Sequence, residues 1–215
     1  MIINNTVRYY LFIFALQFYT KMSKADKTKE LIIERTAGIF NTKGFAGTSL
    51  TDMTDVTGLT KGSIYGNFKN KDEVAIEAFK FNLQTMNDLF SSEMAKKNTF
   101  RDKLLVYCDV FGEFSESKFP RGGCPILNTA VESDDTHPEL KRRAQKALLD
   151  WKDKIVLLLK SGMELGEFKD ELNPEQIAVT ILALLEGGIM IRKVTDNQTY
   201  IQMIVQSLRT YIVQL

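Results

Sequence analysis

Residues 48–73 read Thr-Ser-Leu-Thr-Asp-Met-Thr-Asp-Val-Thr-Gly-Leu-Thr-Lys-Gly-Ser-Ile-Tyr-Gly-Asn-Phe-Lys-Asn-Lys-Asp-Glu, and this stretch decides the fold. Ser49 followed three residues later by Asp52 has the spacing of a capping box, so a helix begins here. Leu50, Met53 and Val56 recur at helical spacing and define one buried stripe. Gly58 ends that helix, because glycine tolerates the left-handed conformation of a helix exit. Leu59 fills the turn. Thr60 caps a second helix in which Ile64 and Phe68 share a face. Asn70 and Glu73 repeat the cap-plus-three pattern for a third. Two short helices around a glycine-containing turn make a helix-turn-helix, whose second helix is free to enter a major groove.

What remains on the second helix suits a duplex. Lys61, Gly62, Ser63, Tyr65, Gly66 and Asn67 are small, polar or basic. Small residues permit close approach, and Thr, Ser, Tyr, Asn and Lys donate to phosphate oxygens. Residues 60–71 contain three lysines and no acid. Lys71 begins the next helix, where free N–H groups add positive potential. The competing reading of the same pattern is a solvated surface helix on an ordinary bundle.

Residues 32–74 resemble the DNA-binding domain of the TetR family of bacterial repressors. The resemblance rests on Ile32 and Phe40, then Gly44-Phe45, Thr48-Ser49, Gly58-Leu59-Thr60-Lys61-Gly62-Ser63-Ile64-Tyr65, Phe68 and Lys71-Asp72-Glu73. Thr36, Thr54 and Thr57 stand where such proteins usually carry Ala, and Gly66-Asn67 where a His or Tyr pair is common. The candidate DNA-contacting residues are Thr48, Thr60, Lys61, Gly62, Ser63, Tyr65, Asn67 and Lys71.

Composition sets the frame around this motif. The chain has 215 residues, 44% apolar and 26% charged, ordinary for a globular protein with a core. Four prolines and long apolar-periodic segments point to an all-α fold. Net charge is +1, so DNA binding must rest on a local patch. Cys108 and Cys124 lack metal-ligand spacing, and the chain has one His, so no metal site is expected. Two free buried thiols are the favoured reading. No nucleophile elbow, P-loop or dinucleotide fingerprint is present, and no enzyme chemistry or cofactor is expected. Glu132, Asp134 and Asp135 read as a solvated acidic turn. The apolar run 9–19 follows Arg8 and is shorter than the about 20 residues a bilayer-spanning helix needs. Residues 1–21 read as an extension or a start site placed too early.

The expected order is as follows. Residues 22–71 form the helix-turn-helix domain, and 72–215 form a larger ligand-binding and dimerisation domain. A first helix runs from about 25 to Lys43, with Asp26 or Thr28 as cap, Gly44 as stop and Phe45 turned inward. A long fourth helix starts near Lys71 and reaches about Lys97. Helices follow over Phe100 to Ser117 and Pro125 to Ser133. The next, with Thr136 or His137 at its start, ends near Gly166. Another opens at Asn173-Pro174, and the last is capped by Asp196.

Gly122-Gly123-Cys124-Pro125-Ile126-Leu127-Asn128, then Ala130, Glu132, His137-Pro138-Glu139-Leu140 and Leu184-Leu185-Glu186-Gly187-Gly188, resemble the regulatory domain of a TetR subgroup. The resemblance implies dimerisation through the last two helices. Those helices are indeed too apolar for a monomer surface, and Gly187-Gly188 would allow close approach. A palindromic operator would then match two recognition helices roughly 34–36 Å apart. A small, moderately apolar effector would bind a pocket lined by Phe90, Cys108, Phe111, Cys124, Asn128, Trp151 and Met190, with Asn128 as polar handle. The expected protein is a cytoplasmic, effector-released repressor. The alternatives are a helical small-molecule binder without DNA binding, and a membrane-tethered form.

Overall fold

The computed structural model describes residues 23–113 and 119–215. The expectations for residues 1–21, and for a helix reaching Ser117, lie outside the described residues. Those residues form nine helices and no strand: α1 (Lys24–Gly47), α2 (Leu50–Thr57), α3 (Lys61–Asn67), α4 (Lys71–Met94), α5 (Phe100–Gly112), α6 (Pro125–Ser133), α7 (Pro138–Glu164), α8 (Pro174–Thr195) and α9 (Gln198–Gln214).

Local chemistry sets the boundaries. Ser49 and Asp52 form the reciprocal capping box of α2. Gly58 closes that helix at φ 68°, in the left-handed region. The hydroxyl of Thr60 accepts the Ser63 N–H and caps α3, and Asn70 caps α4. The return half of that last motif differs: Glu73 accepts from the Lys69 N–H. Two caps differ from expectation. Ser23, not Asp26 or Thr28, caps α1, with Asp26 as its third-residue partner. Asn197 caps α9, and Asp196 takes the left-handed exit of α8 at φ 50°. Of the two residues expected at the start of α7, His137 caps it through Nδ1, while the Thr136 hydroxyl donates back to Glu132 O. In each case neighbouring polar residues compete for the same free amides.

Two apolar clusters follow. The smaller joins Ile32 and Phe40 of α1, Met53 of α2, Ile64 and Phe68 around α3, and Val74, Ala75 and Ala78 of α4. The larger starts on the same helix with Phe79, Met86 and Phe90 and fills the space among α5–α9. One helix thus supplies both cores. α1 packs along α4 and touches α6, α7 lies against α6 and α8, and α9 lies against α8 and α5. Buried Asn82 ties α4 to α1 by donating to Ala37 O at 2.9 Å.

The α2 capping box contributes to the small cluster by fixing the start of a helix of only eight residues. Ser49→Ala should cost about 1 kcal/mol. That corresponds to a fall of about 2–4 °C in the thermal midpoint for a chain this size, read by circular dichroism.

Candidate DNA-binding face and effector cleft

Seven residues make α3, and its amphipathicity divides them. Ile64 is buried, with Phe68 just beyond the helix, and both hold the helix to its domain; Tyr65 is half-buried against the same cluster. Thr60, Lys61, Gly62 and Gly66 are exposed, and Ser63 is partly so. A Cβ at Gly66 would meet nothing within 4 Å, and at Gly62 only the Thr60 hydroxyl at 3.9 Å. The outer face is therefore flat backbone bordered by a lysine.

One expected DNA contact needs correction, and two others make contacts within the chain. Thr48 is fully buried; its hydroxyl donates to Gly44 O at 2.6 Å, so it braces the turn before α2. The Asn67 amide donates to Ser63 O within α3, which leaves its carbonyl and one N–H. Lys71 folds back with Nζ 4.5 Å above the Phe45 ring. Lys69, which the sequence reading passed over, is the exposed lysine beyond α3. Its place one residue before the α4 cap was the available signal.

Behind this face lies the joint with the rest of the chain. Gly44 leaves helical geometry at φ 72°, ψ 179° and breaks α1. In an unbroken helix the Phe45 and Ala46 N–H groups would bond back to residues 41 and 42. Instead they donate to the two carboxylate oxygens of Glu132, each at 2.8 Å. Asn41 O accepts from Asn128 Nδ2 at 3.0 Å, and Asn41 Nδ2 donates to Arg121 O and Gly123 O. Lys193 of α8 donates to Asn128 Oδ1 at 2.8 Å. Nearby, His137 Nδ1 accepts from Leu140 N, so Nε2 carries the proton and donates to Asp72 Oδ1 at 3.1 Å. The His137 ring meets Phe45 edge-on at 4.6 Å. Glu132 is thus no part of a solvated acidic turn; Asp134 and Asp135 are, both exposed, with Asp134 paired to exposed Lys141.

The expected seven-residue pocket is divided. Phe90 and Trp151 line a cleft of about 380 Å³ between α4 and α7, with Leu83, Met86, Ile126 and Ala147. Asn87, Asp150, Asp153 and Lys154 supply its polar groups. Asn128 and Met190 line a different, open groove of about 450 Å³ at the joint. Asn128 is spent on α1, and Met190 is 53% exposed. Cys108, Phe111 and Cys124 are buried core. Phe111 stacks on Trp151 at 5.7 Å and packs behind Phe90 at 6.0 Å, so it backs the cleft wall.

Comparison with known proteins decides the family. Residues 32–78 match the bacterial regulatory proteins of the tetR family, and residues 101–208 match the tetracyclin repressor-like C-terminal domain. A probable HTH-type transcriptional regulator, ArpR of Pseudomonas putida, is 30% identical over 173 residues, covering 77% of this chain and 80% of its own. This chain belongs to the TetR family of transcriptional regulators. A solved TetR-family regulator from Cytophaga hutchinsonii superposes with a TM-score of 0.87 at 44% identity, covering 91% of this chain and 98% of that one. CifR, solved with a 26-bp double-strand operator DNA, shares the fold at a TM-score of 0.73 and 17% identity over 84% of this chain and 94% of its own.

In this TetR-family chain the two thiols are free and buried. Burial pushes Cys108 up to about 11, against the pull of Arg209. Burial, with the Glu186 carboxyl beside it, raises Cys124 well above the ordinary range. Cys124 Sγ donates to Glu186 Oε1 at 3.0 Å, while Glu186 Oε2 is buried without a partner. Burial therefore raises Glu186 to about 7, although the thiol bond opposes it. Among the described residues no group of three or more His, Cys, Asp or Glu could hold a metal ion, and no helix is long and apolar enough to cross a membrane.

The Glu186 shift has a defined sign. Its folded pKa lies above the unfolded value, so the native state binds the extra proton between about pH 4.5 and 7. Stability is full below that window and falls as pH rises through it. Glu186→Gln should remove this decline, read as thermal midpoints at pH 5 and pH 8.

Proposed function

We propose that this chain is a dimeric, cytoplasmic repressor that binds a palindromic operator through α3 and is released by a small, moderately apolar effector in the α4–α7 cleft. The observation that carries the reading is the outer face of α3. Thr60, Lys61, Gly62, Ser63 and Gly66 face outward, Lys69 follows, and residues 56–71 contain no acid. Such a face approaches a groove closely and meets phosphates with its lysines. Its action is binding, not catalysis.

An apolar stripe supports the dimer. Val179, Ala183, Met190 and Val194 recur along the exposed side of α8, with Val194 80% exposed; Tyr200 and Met203 continue it on α9, Met203 at 60%. Gly187 lies on this stripe with open space at its Cβ, whereas Gly188 turns inward, 3.4 Å from Ile201. The glycine pair thus divides its work: one serves the α8–α9 contact and the other leaves room for a second copy. The cleft wall suits a moderately apolar ligand, with aromatic and aliphatic side chains beside Asn87, Asp150, Asp153 and Lys154. An effector that binds better when the recognition helices are spread weakens operator binding by linkage.

Two measurements test the reading. In electrophoretic mobility shifts against its own promoter fragment, Lys61→Ala and Lys69→Ala should each weaken binding and lower the slope of log affinity against log salt by about 1. Absence of retention even at low salt would sink operator binding. In sedimentation, Gly187→Arg should convert a dimer to a folded protomer; a wild-type protomer at micromolar concentration would sink the dimer.

A further inference from the structure

We propose that the α4–α7 cleft takes an amphipathic carboxylic acid of about a dozen non-hydrogen atoms, and that Lys154 is the residue that selects its charge. This deepens the reading of that cleft as the effector site and rests on it.

The apolar and polar groups of the cleft are segregated. Met86, Phe90, Ile126, Ala147 and Trp151 form its wall and are all buried. Asp150, Asp153 and Lys154 are exposed, and Asn87 is half-buried. A ligand that fills the space therefore has one apolar body and one polar end, with that end at the mouth. The sequence of α7 produces the segregation. Ala147, Trp151 and Lys154 follow one another at helical spacing, so one face of the helix runs from wall to rim. Leu157, three residues on, extends the rim with an apolar side chain that is 65% exposed. The cleft holds about 380 Å³. At the about 30 Å³ that a water-sized group occupies in a liquid, this is room for roughly a dozen non-hydrogen atoms.

The charge of the polar end follows from what each rim group already holds. Asp150 accepts from Lys146 Nζ at 2.7 and 2.9 Å. Asp153 pairs with Lys152 at 2.9 Å. Each acid of the lining thus has an ammonium of its own. Lys154 instead donates across the cleft to Asn87 Oδ1 at 3.0 Å, a neutral acceptor. An entering ammonium would have to compete with a lysine already in place. An entering carboxylate would displace only an amide oxygen, and would exchange a neutral acceptor for a charged one, whose bonds are roughly twice as strong. The Asn87 amide, released from Lys154, keeps N–H donors for the same head group. One compact ammonium on a flexible stem matches one negative charge.

Trp151 is the chain's sole tryptophan and lines the cleft, so its emission reports on this site. The probes share a ten-carbon chain and differ in the head: decanoate, decanol and decylamine. They are titrated into the full-length protein near neutral pH, where the first is an anion and the third a cation. Wild type should bind decanoate with a saturable blue shift of Trp151, and more tightly than decylamine. Lys154→Gln should weaken decanoate about fivefold, the size of one partly exposed charge pair, and leave decanol within about twofold. Lys154→Glu should invert the preference between decanoate and decylamine. Lys160→Met, an exposed lysine of α7 away from the lining, should match wild type. Decanoate binding that is unchanged in Lys154→Gln overturns the proposal, as does a wild type that prefers decylamine. So does the absence of a saturable Trp151 shift with all three chains. Retention of the protein's own promoter fragment, measured with saturating decanoate, judges the underlying reading separately. Decanoate that binds through Lys154 yet leaves retention unaltered removes the effector role of the cleft, while the assignment of the ligand class stands.

Discussion

A broken helix has to be repaired, and the repair organises this molecule. Gly44 turns the chain out of α1, which strands backbone donors and acceptors beside the larger core. Stranded groups of this kind cost about 1–3 kcal/mol each when buried without partners. The chain answers with side chains brought from more than eighty residues away, Asn128 and Glu132. Their reach fixes where α6 must lie, and α6 in turn closes one wall of the cleft through Ile126. The same few polar contacts therefore tie the DNA-binding domain to the helix that forms one wall of the cleft.

The apolar packing complements that arrangement. α4 begins in the small cluster with Val74, Ala75 and Ala78 and continues in the large one with Phe79, Met86 and Phe90. One rod is thus shared by both cores. The joint beside it adds hydrogen bonds to the packing of Phe45, which meets His137 edge-on and lies against both clusters. Hydrogen bonds are directional and lose strength steeply with angle, so these hold α1 and α6 in one mutual orientation.

What the sequence disclosed follows the range of each interaction. Ser49, Gly58, Thr60 and Asn70 were legible because a cap is settled within three or four residues. The family resemblance at Gly58–Tyr65 was legible for the same reason. Thr48 misled because a polar side chain near a surface can equally bond its own backbone, and it does. The pocket was the least legible feature. Phe90 and Trp151 do face the cleft, but Asn128, read as a ligand's handle, holds α1, and Met190 lies on an open groove. Nothing local marks a pair such as Glu132 and Phe45, 87 residues apart; the four-residue spacing of Asn128 and Glu132 hinted only that they share a helix face.

The same joint limits how such a protein can be recombined. A head taken from another regulator and grafted onto this body would have to present a glycine where Gly44 stands, since any Cβ there would meet the Glu132 carboxylate. It would also need an amide side chain in place of Asn41 to accommodate the 121–123 loop. Heads lacking either would lose the contacts that seat this domain on α6. Compatibility of exchanged halves is thus written in a handful of positions near residue 44.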